Sequence, residues 1–380
     1  MQNTAIYLFP FIINIAFGIL IFVGPMRAVE NGENLSAISL MITGYGIGYV
    51  LSSMWMGKIV RVRYAKWQVI GAALLIACFC SILVFVDDIL ASIVIYTLFP
   101  GGTALFFNAF QTFMKDVEST RSSSMSLSVG RYICAFGLGF ACGPFISGWI
   151  REYLQWNIAF VIAAMLALMV AALALFLNPK RRSQTIIPES GATGDKPDLA
   201  LAGWIGSFVG SAVMSLYLTL FPEHSEAMNL SPVFRGSIIF LMGILQGLVA
   251  LFYGKTRYWM YRYDVVPVLN LFGIVSLVVL YFLVDPRLFY FVSLCLGVFA
   301  ASFFFIAIYH SVSHPSKSVQ NIAVNETVIG LGFLVGPQFI RLIPDGLGFK
   351  SAYLFAIFPL VLVMVFQFAI IKKKHRNHSL

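Results

Sequence analysis

Charged residues are scarce in this sequence. Only 11% of its 380 residues are Asp, Glu, Lys or Arg, whereas 59% are hydrophobic and the mean hydropathy is +0.88. Soluble domains carry roughly 25% charged and 45–50% apolar residues. A water-soluble fold could not bury this much apolar surface, so the composition excludes a soluble protein and predicts an integral membrane protein.

Sequence signatures of enzymes and of metal or cofactor sites are also missing. The sequence contains no Walker loop, no G-x-G-x-x-G after a strand and no zinc-ligand spacing. No nucleophile with a nearby base can be argued, so we predict no enzymatic activity, no cofactor and no metal. The five cysteines all lie in apolar segments and are interpreted as small membrane-buried side chains. The net charge of +9 resides in short loops, so nucleic acid is not an expected partner.

Long apolar runs, by contrast, fill the chain. Each is long enough for a helix that crosses a bilayer and too long for a barrel strand. The first run continues too far for the apolar region of a signal peptide. The sequence therefore predicts an all-α membrane protein of about twelve transmembrane helices in two pseudo-symmetric six-helix bundles. The runs cover residues 5–26, 37–56, 67–86, 89–114, 123–150, 153–177, 199–221, 233–253, 265–284, 288–310, 319–343 and 351–371.

Basic residues are distributed unequally between the two sets of loops. The loops after even-numbered runs, together with the C-terminal tail, hold eighteen of the 25 Lys and Arg residues, and the opposite loops hold six. Loops rich in Lys and Arg face the cytoplasm. We therefore expect both termini to be cytoplasmic and the protein to lie in the plasma (cytoplasmic) membrane.

A polar stretch near the middle of the chain separates six runs from six. We predict an N-terminal half at 1–177, a cytoplasmic linker at 178–198, a C-terminal half at 199–371 and a basic cytoplasmic tail at 372–380. The octapeptide GLGFACGP at Gly137–Pro144 returns as GLGFLVGP at Gly330–Pro337, in the fifth run of each half. This match indicates an internal repeat, as in many transporters.

The residues around the first octapeptide resemble a family motif. Gly139, Gly143, Pro144 and Gly148 match the fifth-helix G-x-x-x-G-P-x-x-G-G pattern of the major facilitator superfamily, in particular its twelve-helix drug-efflux-like antiporters; Ser147 departs from it. The resemblance implies a transporter, and a monomer is expected. The chain departs from the family's G-x-L-A-D-R-x-G-R-R loop motif, since Arg61 stands at the acidic position, and the fourth-helix Arg motif is absent. Close helix packing is assigned to Gly139, Gly143, Pro144, Gly332, Gly336 and Pro337.

Two charged residues lie well inside predicted spans, away from their ends. Glu326 is the only acid among 16 that falls within one. A charge at membrane depth costs at least about 2.5–3.5 kcal/mol, so Glu326 is the leading candidate for a proton-binding or gating group, with local capping near headgroup water as the alternative. Arg131 could pair with an acid, bind an anionic substrate group or snorkel to the headgroups.

The resemblance implies a central cavity. In that family, the first, fourth, seventh and tenth helices line this cavity. Helical spacing gathers aromatic and neutral polar side chains there, which suits an apolar or weakly polar solute. Packing between helices is the alternative role for each of them. The candidates are Tyr7, Asn14, Phe17, Phe107, Asn108, Gln111, Trp204, Ser207, Ser211, Ser215, Ser302, Phe305 and Tyr309.

These patterns favour a secondary transporter that works by alternating access around a midplane site. Export of a small molecule by proton antiport is preferred, because of the Gly-Pro motif and Glu326. An uptake permease or uniporter of the same fold and a non-transporting receptor-like protein are the alternatives. A membrane enzyme acting on lipid would need more polar groups near one interface than the sequence supplies.

Overall fold

The fold was analysed in a computed structural model, which describes residues 5–118, 124–176, 198–344 and 346–378. Within these residues, twelve helices are long and apolar enough to cross a membrane. This confirms the predicted all-α membrane fold. The helices are α1 (Ala5–Glu30), α2 (Leu35–Ile59), α3 (Val62–Leu83), α4 (Ile89–Glu118), α5 (Met125–Tyr153), α6 (Trp156–Phe176), α7 (Ala200–Ala227), α8 (Pro232–Lys255), α9 (Val265–Phe282), α10 (Leu288–Ser313), α11 (Ser318–Leu342) and α12 (Ser351–Arg376).

Each predicted apolar run lies on one of these helices, and the differences are at the ends. The largest is at α7, which continues past residue 221 to Ala227. Polar side chains fix several of the starts, because their oxygens accept hydrogen bonds from otherwise unpaired backbone N–H groups. Asn34 caps α2 through Ala37, and Asp88 caps α4 through Ala91.

The predicted linker at 178–198 lies, apart from Asp198, outside the described residues, so the division of the chain there stays a prediction. Of the predicted tail, Lys372 to Arg376 continue α12 as a helix.

The two octapeptide repeats bring helices together in corresponding ways. At Gly143 of α5, an added Cβ would come within 2.5 Å of the Ile19 backbone nitrogen in α1. At Gly336 of α11, an added Cβ would come within 2.3 Å of the Ala212 carbonyl oxygen in α7. Both glycines therefore allow contact between helix backbones. The two repeats differ beyond this point, because α5 stays α-helical through Pro144 whereas α11 becomes a 3-10 helix from Gly336.

Two helix pairs make the most extensive contacts between the first six helices and the last six. Helix α5 packs on α8, where Gly137 approaches the Gly243 carbonyl oxygen, and α2 packs on α11, where Gly46 approaches the backbone of Leu334. Helices α1 and α7 are almost entirely enclosed by the others. We call the end of the bundle that carries Lys58, Arg61, Lys255 and Lys317 the basic end.

Candidate functional site

A cavity lies between the two groups of six helices, with about 750 Å³ of empty space when its opening to solvent is included. Residues of both groups line it, on α1, α2, α4 and α5 and on α7, α8, α10 and α11. Its walls are mainly aromatic, with rings from Phe17, Tyr45, Tyr49, Phe107, Tyr132, Phe136, Phe140, Phe304 and Phe333.

Glu326 supplies the only carboxyl group among the lining residues of this cavity. Its side chain is 3% exposed. Oε2 accepts a hydrogen bond from the Tyr49 hydroxyl at 2.5 Å, and Oε1 accepts one from Gln111 Nε2 at 2.6 Å. Across the described part of the chain, no Lys, Arg or His forms an ion pair with Glu326. The carboxyl group is therefore held by neutral donors alone.

These hydrogen bonds connect the two groups of helices. Glu326 lies on α11, whereas Tyr49 lies on α2 and Gln111 on α4. Gly330, one turn after Glu326, allows the close approach: an added Cβ there would come within 2.9 Å of the Val50 backbone nitrogen. Glu326 is eight residues from the start of α11, which places it about 12 Å from the basic end. The Glu326 side chain thus contributes directly to the contact between the two groups of six helices.

Tyr49→Phe tests the contact between α2 and α11. The variant keeps the ring but removes the hydroxyl donor, so we expect thermal stability to fall by about 1 kcal/mol or more. In the double variant with Glu326→Gln the two losses should be clearly non-additive, since the residues are in contact. Tyr96→Phe is the matched control: its buried hydroxyl donates to the Leu20 carbonyl oxygen and it does not line the cavity, so its effect should add to that of Glu326→Gln. Additive losses for Tyr49 and Glu326 would contradict the contact.

Two other polar side chains on the cavity wall have unpaired atoms. Gln246 Nε2 on α8 and Ser211 Oγ on α7 are buried and have no hydrogen-bond partner among the described residues. A buried polar atom left unpaired costs about 1–3 kcal/mol. These two atoms are available to a bound solute or to water.

The predicted cavity residues fall into two groups. Phe17, Phe107 and Ser211 line the cavity, and Gln111 holds Glu326. The other nine candidates are buried or half-buried but are not among the lining residues: Tyr7, Asn14, Asn108, Trp204, Ser207, Ser215, Ser302, Phe305 and Tyr309.

Several of these residues contact other parts of the bundle. Asn14 and Asn108 donate to the carbonyl oxygens of Pro10 and Ala104 within their own helices. Trp204 Nε1 donates to Ser311 Oγ on α10 at 3.1 Å. Phe305, which is followed one turn later by Tyr309, packs against the rings of Tyr253 and Trp259. Helical spacing groups residues on one face of a helix, but it does not determine which face points at the cavity.

Arg131 lies apart from Glu326. It is half-buried on α5, and the described residues include no ion pair between the two. Its electrostatic influence reaches Tyr7, whose hydroxyl donates to Glu118 at 3.3 Å near the basic end. Arg131 therefore belongs to the surroundings of Tyr7 and Glu118.

Sequence reasoning missed the cavity residues of α2, α5 and α8. Tyr45 and Tyr49 are four residues apart, as are Tyr132, Phe136 and Phe140, so each set lies on one helix face. This aromatic spacing is a signal that was present in the sequence. Gln246 gave no comparable signal, because an isolated Gln in an apolar helix is equally compatible with packing.

In the described part of the chain, twelve membrane-length helices form two groups around a cavity that both groups line. The family model for the Major Facilitator Superfamily matches residues 6–314. The chain belongs to this superfamily, which confirms the predicted superfamily.

Two curated relatives are transporters without a characterised substrate. An uncharacterized transporter of Buchnera aphidicola subsp. Schizaphis graminum (strain Sg) is 23% identical over 234 residues, which cover 58% of this chain and 54% of the relative. One of Buchnera aphidicola subsp. Baizongia pistaciae (strain Bp) is 29% identical over 143 residues, covering 33% and 34%. The chain thus spans about half of the first relative's length and about a third of the second's.

Solved structures show the same fold. The human organic anion transporter MFSD10 (TETRAN) superimposes with a TM-score of 0.69 at 12% identity, covering 96% of this chain and 99% of that one. The nucleoside transporter NupG superimposes with a TM-score of 0.66 at 14% identity, covering 98% and 99%.

Proposed function

We propose that this transporter exports a small apolar or weakly polar solute in exchange for protons, and that Glu326 binds the proton. The observation that carries the proposal is a buried carboxyl group on the wall of the central cavity with neutral partners alone. A charged carboxylate in such a place is costly, and protonation removes that cost. Intramembrane acids in these surroundings are typical of proton relays.

The position of Glu326 supports coupling between protonation and opening. In its charged form, both oxygens accept hydrogen bonds from the first six helices. A protonated carboxyl group carries one O–H donor, so the Tyr49 and Gln111 donors can no longer both be accommodated in the same way. Proton binding and release therefore change the contact between the halves at the basic end. Alternating access requires such a change.

The cavity lining supports the solute class. Nine aromatic rings offer apolar contact surface, and the neutral polar groups of Ser211 and Gln246 fix orientation. Arg131 lies outside the lining, which disfavours a strongly anionic solute. One chain encloses the whole cavity, and this supports action as a monomer.

The direction of transport is tested in everted membrane vesicles with an acidic lumen. With a panel of uncharged fluorescent aromatic compounds, we expect at least one to accumulate, and the accumulation to collapse when the pH gradient is dissipated. Vesicles without the protein are the control. Gradient-dependent accumulation in right-side-out vesicles instead would indicate uptake, and binding without flux in either preparation would indicate a receptor.

Lys and Arg are concentrated in the loops at the basic end of the bundle, which supports an orientation with this end in the cytoplasm. Both termini then also lie in the cytoplasm, and the protein lies in the plasma membrane. Ser36 lies at the opposite end of the bundle and Arg63 at the basic end, and both are exposed. In a cysteine-free background, a membrane-impermeant maleimide applied to intact cells should label Ser36→Cys and not Arg63→Cys. The reverse labelling would overturn the orientation.

A further inference from the structure

The connection from α2 to α3 concentrates positive charge at the membrane surface. Residues 55–67, which we call the α2–α3 turn, contain four basic residues and no Asp or Glu. Three of the basic side chains, Lys58, Arg61 and Arg63, are exposed. The turn is therefore a compact cationic surface without an acid of its own.

Aromatic side chains accompany these cations. Lys58 Nζ lies 5.2 Å from the ring centre of Trp55, and the Arg63 guanidinium carbon lies 5.6 Å from that of Tyr64. Trp55 and Trp67 are 59% and 60% exposed on the outside of the bundle. Exposed Trp and Tyr mark the level of the lipid headgroups. The cations of the turn thus lie at headgroup depth.

The corresponding connection in the second half is different. In the turn between α8 and α9, Arg262 donates two hydrogen bonds to Asp264, at 3.1 and 2.6 Å, and is neutralised by it. For Lys58, Arg61 and Arg63, no ion pair with an acid occurs anywhere in the residues that the structure describes. The positive charge of the α2–α3 turn is therefore available to an external anion.

We propose that the α2–α3 turn is a binding site for the phosphate of an anionic phospholipid headgroup. The exposed apolar side chains of Leu51, Met54 and Trp55 continue from the turn along the outer face of α2, and they offer a surface for the acyl chains. Guanidinium and ammonium groups at this depth attract anionic lipids, and Arg recognises phosphate through paired hydrogen bonds. A lipid phosphate fits better than free phosphate, because charged and apolar contacts adjoin here.

The test titrates detergent-solubilised full-length protein with phosphatidylglycerol or phosphatidylcholine and follows the melting temperature. Phosphatidylglycerol should raise it selectively. The triple variant Lys58→Gln, Arg61→Gln and Arg63→Gln should lose at least about tenfold in apparent affinity for this lipid. The matched control carries the same charge change at Lys255, Lys372 and Lys373, which are exposed at the same end, and should bind as the wild type does.

Three results would contradict the proposal that the α2–α3 turn binds an anionic phospholipid. They are unchanged affinity of the turn variant, an equal loss in the control variant, or inorganic phosphate that competes as effectively as the lipid. The melting temperature without lipid reports whether the triple variant folds. If it does not, Arg61→Gln alone should still weaken binding of phosphatidylglycerol, and unchanged binding by that variant would equally reject the proposal.

Discussion

Glu326→Gln is expected to reduce pH-gradient-driven solute flux in proteoliposomes to the level of protein-free liposomes. The side chain keeps its size, but its amide nitrogen cannot accept a hydrogen bond as the carboxylate oxygen does, and it can no longer bind and release a proton. The solute cavity and the helix packing remain, so exchange of labelled for unlabelled solute should persist. The variant thus separates coupling to protons from movement of the solute.

Glu118→Gln is the matched control, because Glu118 is also buried, at 2% exposure, but does not line the cavity. Driven flux should be retained in this variant. Unchanged driven flux in Glu326→Gln would reject the coupling role, and loss of exchange together with driven flux would indicate a structural role for the carboxyl group.

Gly143→Ala is expected to cause a large loss of stability from a single methyl group. The added Cβ would lie 2.5 Å from the Ile19 nitrogen and 2.6 Å from the Ile15 carbonyl oxygen, and both atoms belong to the α1 backbone. Backbone cannot move aside as a flexible side chain can, so α1 and α5 must separate. Overpacking of this kind costs about 1–3 kcal/mol. The melting temperature of the purified protein should fall accordingly.

Gly71→Ala provides the comparison. Gly71 lies in α3, is exposed, and an added Cβ would meet no atom within 4 Å. Alanine is favoured over glycine in a helix by roughly 0.5–1 kcal/mol, so this variant should be neutral or slightly stabilised. Equal losses in the two variants would contradict the assigned role of Gly143 in helix contact.

Most of the fold could be predicted because its causes are local in the sequence. Apolar runs define the helices, and residues such as Asn34 and Asp88 mark where two of them begin. The Gly-Pro repeats identified two helix contacts, since glycine is the residue that permits close backbone approach. The helix ends were less accurate: polar residues such as Glu223 and Glu226 lie within the final turns of α7.

The candidate site could be predicted only in part, and the reason is geometric. Glu326 was identifiable because a single acid inside an apolar run is unusual. Its partner Tyr49 was not, because 277 positions separate the two residues and only the packing of α2 on α11 brings them together. Asn108 and Gln111 are three residues apart on α4, yet only Gln111 reaches Glu326. The direction in which each helix presents its faces depends on its neighbours.

Solute-driven proton movement is the most direct measurement of the central claim. Proteoliposomes are loaded with the transported solute and a pH-sensitive dye, then diluted into solute-free buffer. As solute leaves, protons should enter and the lumen should acidify with the wild type, but not with Glu326→Gln. Solute efflux without a change in lumenal pH, or with alkalinisation, would contradict proton antiport through Glu326.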